Sequence, residues 1–167
     1  MVDISKTLVD GGILTGFFLA LILGLAIYNP RLFLNKSDVP ADIFAAVPPK
    51  TEKEKRQSKW LGIPLFLLLI GGPLYSTYTL SLQNPGLSFF PLFGHAFVVL
   101  LMPTLGDLIL VDWLLLNTLT PRFFVYPGTE GFAGYKDYGF HLKAHLRFFP
   151  MLPMGAAIIA AIVQLIS

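Results

Sequence analysis

His141 and His145 stand four residues apart, the spacing that places two imidazoles on one face of a helix. Such a pair can pass a proton or grip a metal ion, and an aspartate or glutamate would complete either site. Asp107 and Asp112 are available in unusual surroundings, inside the third of four long apolar stretches. An acid in a membrane span is costly to desolvate, so its presence there calls for a buried partner or a task. Asp107, Asp112, His141 and His145 are therefore the candidate catalytic residues. His141 and His145 are weak candidates for metal ligation. Neither an HExxH nor a repeated histidine box accompanies them, so no bound metal is expected and the cofactor is left unassigned. On a straight α-helix Asp107 and Asp112 differ by about 140° in direction and about 7.5 Å in height. They would converge only through neighbouring helices or a break near Gly106, and Asp112, beside Trp113, reads as an interfacial, solvated residue.

Glu130, Lys136, Asp137, Lys143 and Arg147 surround the histidines in sequence and form a candidate lipid-headgroup site. Lys143 and Arg147 share a short amphipathic segment over about residues 137–149, whose basic and aromatic side chains suit an interfacial anchor. His95, between Gly94 and Ala96, leaves room for a flat ring such as haem. With no second histidine at its depth, a hydrogen bond to another helix is the better reading.

The elements that must position these residues are four apolar runs, at about residues 11–28, 60–80, 87–119 and 149–167. Each is long enough to cross about 30 Å of hydrocarbon. The chain is 54% hydrophobic and 13% charged, well below the roughly 25% charged residues of a soluble domain. The expected fold is all-α, a single polytopic membrane domain over residues 1–167 with four transmembrane helices. The third is long and kinked or broken around Pro103 and Gly106, and a short interfacial helix precedes the fourth. Asp3, Lys6 and Asp10 argue against a cleaved leader, since they do not form a basic n-region. Span two carries Gly71-Gly72-Pro73, where a kink is expected.

Eleven of the twelve basic residues lie in the segments 29–59 and 120–148. The positive-inside rule places both loops in the cytoplasm and both termini outside, with the plasma membrane as the expected location. Trp60, Trp113 and Tyr126 then fall near the inner interface. In the first loop, residues through Ala46 read as a short helix, and Thr51 with Glu54 as a capping box that starts a charged helix running into span two. A net charge of +2 gives no reason to expect nucleic acid, and the absence of cysteine excludes thiol catalysis and disulfides.

Gly12, Gly16, Ala20 and Gly24 place a small residue at every fourth position of span one. The stripe is expected to pack against another helix, with Ala156, Ala157, Ala160 and Ala161 of span four as one mate and a second copy or partner protein as another. Membrane lipids are the other expected partner. Three functions fit: a non-catalytic subunit, scaffold or lipid-binding protein; an enzyme acting on a lipid-like substrate at the cytoplasmic face; and a small transporter or proton-conducting protein. Scarcity of catalytic motifs favours the first.

Overall fold

Inside hydrocarbon a backbone has no water to bond, so an apolar run must satisfy its own N–H and C=O groups by forming a helix. The computed structural model describes residues 4–167, and no strand occurs among them. Four helical runs are long and apolar enough to cross a membrane: Ile4–Tyr28, Glu52–Gln83, Phe89–Leu119 and Tyr138–Ile166. Six α-helices make up these runs and the first loop: α1 (Ile4–Tyr28), α2 (Ala41–Ala46), α3 (Glu52–Gln83), α4 (Phe89–Gly106), α5 (Tyr138–Phe148) and α6 (Met151–Ile166). After α4 the third run continues as a π-helix, Asp107–Leu119.

Helix α1 begins well before the expected boundary at residue 11, and so takes in Lys6 and Asp10. The two neutralise each other one turn apart at 2.7 Å, which lets the helix extend through what looks in sequence like a charged tail. Asp3 lies outside the described residues. Helix α3 runs unbroken through Gly71-Gly72-Pro73. Its start is a true capping box: Thr51 N–H donates to Glu54 Oε2 at 2.7 Å and Glu54 N–H to Thr51 Oγ1 at 3.2 Å.

The contacts group into two units. The first contains the chain through Phe18, Leu65–Leu105 and Phe148–Ser167. Its core is Leu80 of α3, Leu92, Ala96 and Leu100 of α4, and Ala156, Ile159, Ala160 and Val163 of α6. The three- and four-residue spacings make each set one helical face, and the alanines let α4 and α6 approach closely. The alanines of α6 thus meet α4. The expected stripe on α1 faces outward instead: Gly12, Gly16, Ala20 and Gly24 are all exposed, while Gly11, Leu14 and Phe18 turn inward. The close glycine approaches of this unit are Gly11 against Met102 and Gly72 against Leu14.

The second unit contains Leu19–Pro64 and Gly106–Arg147. Ala26, Val111 and Phe124 form one core. A second core joins the two loops: Leu34, Val39, Ile43, Val47, Tyr126 and Tyr135. Tyr126, expected at the membrane interface, is buried here, and its hydroxyl donates to Pro30 O at 3.2 Å. Gly134 N–H donates to Asp42 Oδ2 at 2.9 Å, and a Cβ at Gly134 would collide with Asp42, Pro40 and Ile43. Arg31 clamps the start of α3, donating from Nε to Glu54 Oε1 at 2.6 Å and from Nη2 to Pro48 O and Pro49 O. That guanidinium holds the Glu54 carboxyl down to about 2, helped by the Thr51 N–H.

Candidate functional site

Within the second unit, the π-helix presents Asp107 and Asp112 to one face of α5. Bonding from N–H to the carbonyl five residues back widens each turn, so residues five apart come to nearly the same side. The pattern persists to the end, where Thr120 N–H donates to Leu115 O at 2.7 Å. Pro103, one turn upstream, has no N–H to give Val99 O, yet α4 stays α-helical through Gly106. The two aspartates, far apart in direction on an α-helix, thereby join a polar row that continues at Asn117, where Nδ2 donates to Tyr135 O at 3.0 Å.

Helix α5 supplies the opposing groups. Asp137 Oδ1 accepts from Phe140 N–H at 2.9 Å and caps the helix start. His141 and His145 then face the π-helix, while Lys143 and Arg147 are exposed. His141 Nδ1 lies 3.2 Å from Asp112 Oδ1. His145 Nε2 lies 3.6 Å from Asp107 Oδ2, and its Nδ1 lies 3.6 Å from Asp112 Oδ2. The same Nδ1 is 3.1 Å from His141 O. A backbone carbonyl only accepts, so that nitrogen carries a proton and Nε2 is the atom turned toward Asp107. Asp112 and His141 are buried, against the expectation of a solvated Asp112. The side chains of His145 and Asp107 remain 18% and 26% exposed, so this side of the cluster is the less covered one.

The candidate headgroup residues divide. Lys136 Nζ donates to Asn117 O at 2.7 Å, Thr118 O at 3.1 Å and Thr120 Oγ1 at 2.8 Å, closing the end of the π-helix. Lys136 and Asp137 are thus engaged in capping. Glu130, Lys143 and Arg147 remain exposed, and the ion pairs of the two aspartates among the described residues are with the histidines.

His95 belongs to a different constellation, in the first unit. It is fully buried, with Nδ1 2.8 Å from Thr7 Oγ1 and Nε2 2.7 Å from Ser76 Oγ. Ser76 spends its one proton on Asp10 Oδ2 at 2.6 Å, so His95 Nε2–H donates to Ser76. Lys6 Nζ donates to the same Asp10 oxygen at 2.7 Å. Asp10, Ser76 and Thr7 escaped the sequence reading. The available signal was Lys6 and Asp10 one helical turn apart ahead of an apolar run. The hydroxyl partners on two helices left no trace in the pattern. Comparison with known protein families, with curated proteins and with solved structures finds no match for this chain.

Proposed function

We propose that the chain is a membrane-embedded enzyme acting on an amphiphilic, lipid-like substrate, with Asp107, Asp112, His141 and His145 as its acid–base centre. The observation that carries this reading is the convergence of two imidazoles on two carboxylates with one side left open. Four titratable groups inside an apolar bundle each cost free energy to desolvate, which supports a working role where they converge. His145 is the proton-transferring group, Asp107 sets its charge, and the His141–Asp112 pair fixes the ring from below. Exposed Lys143 and Arg147 on the outer face of α5 suit anionic headgroups. The distribution of basic residues supports a cytoplasmic side for both loops and this centre, with the termini outside, in what we read as the plasma membrane. Single cysteines at Ser5, Ser58 and Ser167 test that orientation: labelling from outside is expected at Ser5 and Ser167, and labelling at Ser58 alone contradicts it.

The function is tested by reconstituting the chain in vesicles of total polar lipid and following every lipid species by mass spectrometry. Wild type is expected to convert at least one amphiphile, and His145→Ala to leave it untouched. Identical lipid profiles for wild type, His145→Ala and empty vesicles overturn the assignment.

One observation favours a second reading, as a subunit. The Gly12, Gly16, Ala20 and Gly24 stripe faces away from the rest of the chain, with open space beside each of the three glycines. A second copy or a partner helix would pack there. Native mass spectrometry should show an assembly that Gly16→Leu and Ala20→Leu disrupt. A monomeric wild type removes this reading.

A further inference from the structure

We propose that Asp107, Asp112 and His145 bind a first-row divalent transition-metal ion, zinc being the best fit. The inference rests on the reading of this cluster as the working centre and changes one role in it: with the ion bound, His145 Nε2 is a ligand and not the proton-transferring group.

Three features of the cluster point to a cation. The first is spacing. One donor atom from each of Asp107, Asp112 and His145 lies within 4.8 Å of the other two. Ligands at 2.0–2.1 Å from a tetrahedral zinc stand roughly 3.3 Å apart, and the 3.6 Å between His145 Nε2 and Asp107 Oδ2 needs only a few tenths of an ångström of closure. Asp112 Oδ2 stands 3.6 Å from the other ring nitrogen, Nδ1, and must turn toward Nε2 to join the shell. The second is charge. Among the described residues, the ion-pair partners of the two aspartates are His141 and His145 and no lysine or arginine. Two carboxylates in an apolar bundle are neutralised by protons or by cations, and one dication would balance both while the imidazoles stay neutral. The third is the second shell. A ligating histidine donates its other N–H to a carbonyl or carboxylate, which fixes the tautomer. His145 Nδ1 does so to His141 O at 3.1 Å, leaving Nε2 as the donor atom. His141 Nδ1, 3.2 Å from Asp112 Oδ1, orients that carboxylate in the same way.

The donor set also narrows the ion. Calcium and magnesium prefer all-oxygen shells, and thiolate-seeking ions find no cysteine in this chain. One imidazole with two carboxylates suits zinc, iron(II) or manganese(II). Three protein ligands leave a fourth position, on the open side, for water or substrate.

The test uses the full chain in lipid nanodiscs, stripped with a chelator and titrated with cobalt(II) as a spectroscopic stand-in for zinc. Wild type is expected to bind stoichiometrically, to show d–d absorption of a tetrahedral or five-coordinate site, and to release cobalt to zinc. X-ray absorption of the zinc form should show a nitrogen and oxygen shell with imidazole scattering. Asp107→Asn, isosteric and chosen to keep the fold, and His145→Ala should lose binding. His141→Ala, which removes a positioning group, should weaken it by roughly tenfold to a hundredfold. Lys53→Ala, on the exposed start of α3, should bind as wild type does. Absence of binding by wild type overturns the proposal, as does binding that Asp107→Asn and His145→Ala leave unchanged or a shell without imidazole. The vesicle assay distinguishes this failure from that of the function. Conversion that needs His145 and persists without metal leaves acid–base catalysis standing and removes the ion alone.

Discussion

Two clusters of histidine and carboxylate side chains occur among the described residues, and they differ in how closely their groups are held. The contacts of the His95 ring with Thr7 and Ser76 are short. Ser76 and Thr7 hydroxyls sit within 2.8 Å of its ring nitrogens, Lys6 neutralises Asp10, and the ring is sealed from its surroundings. Around His145 the carboxylates stand at 3.6 Å, beyond a good hydrogen bond, and one flank is open. A satisfied, closed polar network ties helices together, because unmaking any bond strands a buried group. A looser, open one keeps donor atoms available to something else. Titratable residues inside a membrane span thus do not mark a working site by type alone. Contact length and access separate the two cases.

The sharpest way to break that contrast is to remove each histidine in turn. His145→Ala should reduce amphiphile conversion by about a hundredfold or more, the scale of a lost acid–base group, with thermal stability little changed. His95→Ala should do the reverse. It leaves a cavity and removes the bond that Ser76 Oγ accepts from the ring, so stability should fall by about 3 kcal/mol, while conversion per folded molecule persists. Melting curves and turnover measured on both variants check this. If His145→Ala unfolds the protein and His95→Ala silences it, the assignments are exchanged.

A smaller effect probes the loops that frame the second unit. Gly134→Ala sets a methyl group against the Asp42 carboxylate, Pro40 and Ile43, and overpacking of this kind costs about 2 kcal/mol. A lower melting temperature is expected, and an unchanged one would mean the loop junction is slack. The smallest effect concerns Glu54, which precedes the apolar part of α3. Its folded value of about 2 lies below the ordinary 4.5. The stabilisation is therefore complete above the ordinary value and is lost as pH falls through the folded one. Glu54→Gln should melt lower than wild type at neutral pH, and the two should converge as pH approaches the folded value. A pH-independent gap would show that the carboxylate charge is not what Arg31 recognises.

Legibility in the sequence followed the physics of each feature. Four spanning helices could be read because hydrocarbon demands long apolar runs. The inward face of α5 could be read from the four-residue spacing of His141 and His145. Alignment of Asp107 with Asp112 could not, because α-helical geometry sends them apart and no residue pattern announces a π-helix; Pro103 and Gly106 signalled only a disturbance. The glycine stripe of α1 was visible, but small residues do not encode which way they face. Here Gly11, outside the stripe, turns inward. Asp137, expected among the headgroup residues, caps the start of α5 instead. The carbonyls that Lys136 closes, and the loop core of Leu34, Ile43, Tyr126 and Tyr135, depend on contacts distant in sequence.

The central claim is that the cluster of Asp107, Asp112, His141 and His145 exists as an assembled, open site, and an experimental structure of the full chain in native lipid tests it most directly. The expected map places the His145 ring within hydrogen-bonding or coordination reach of both aspartates, with density between them. Imidazoles of His141 and His145 turned into lipid or bulk water, more than about 12 Å from either aspartate and so beyond even a water bridge, would contradict it.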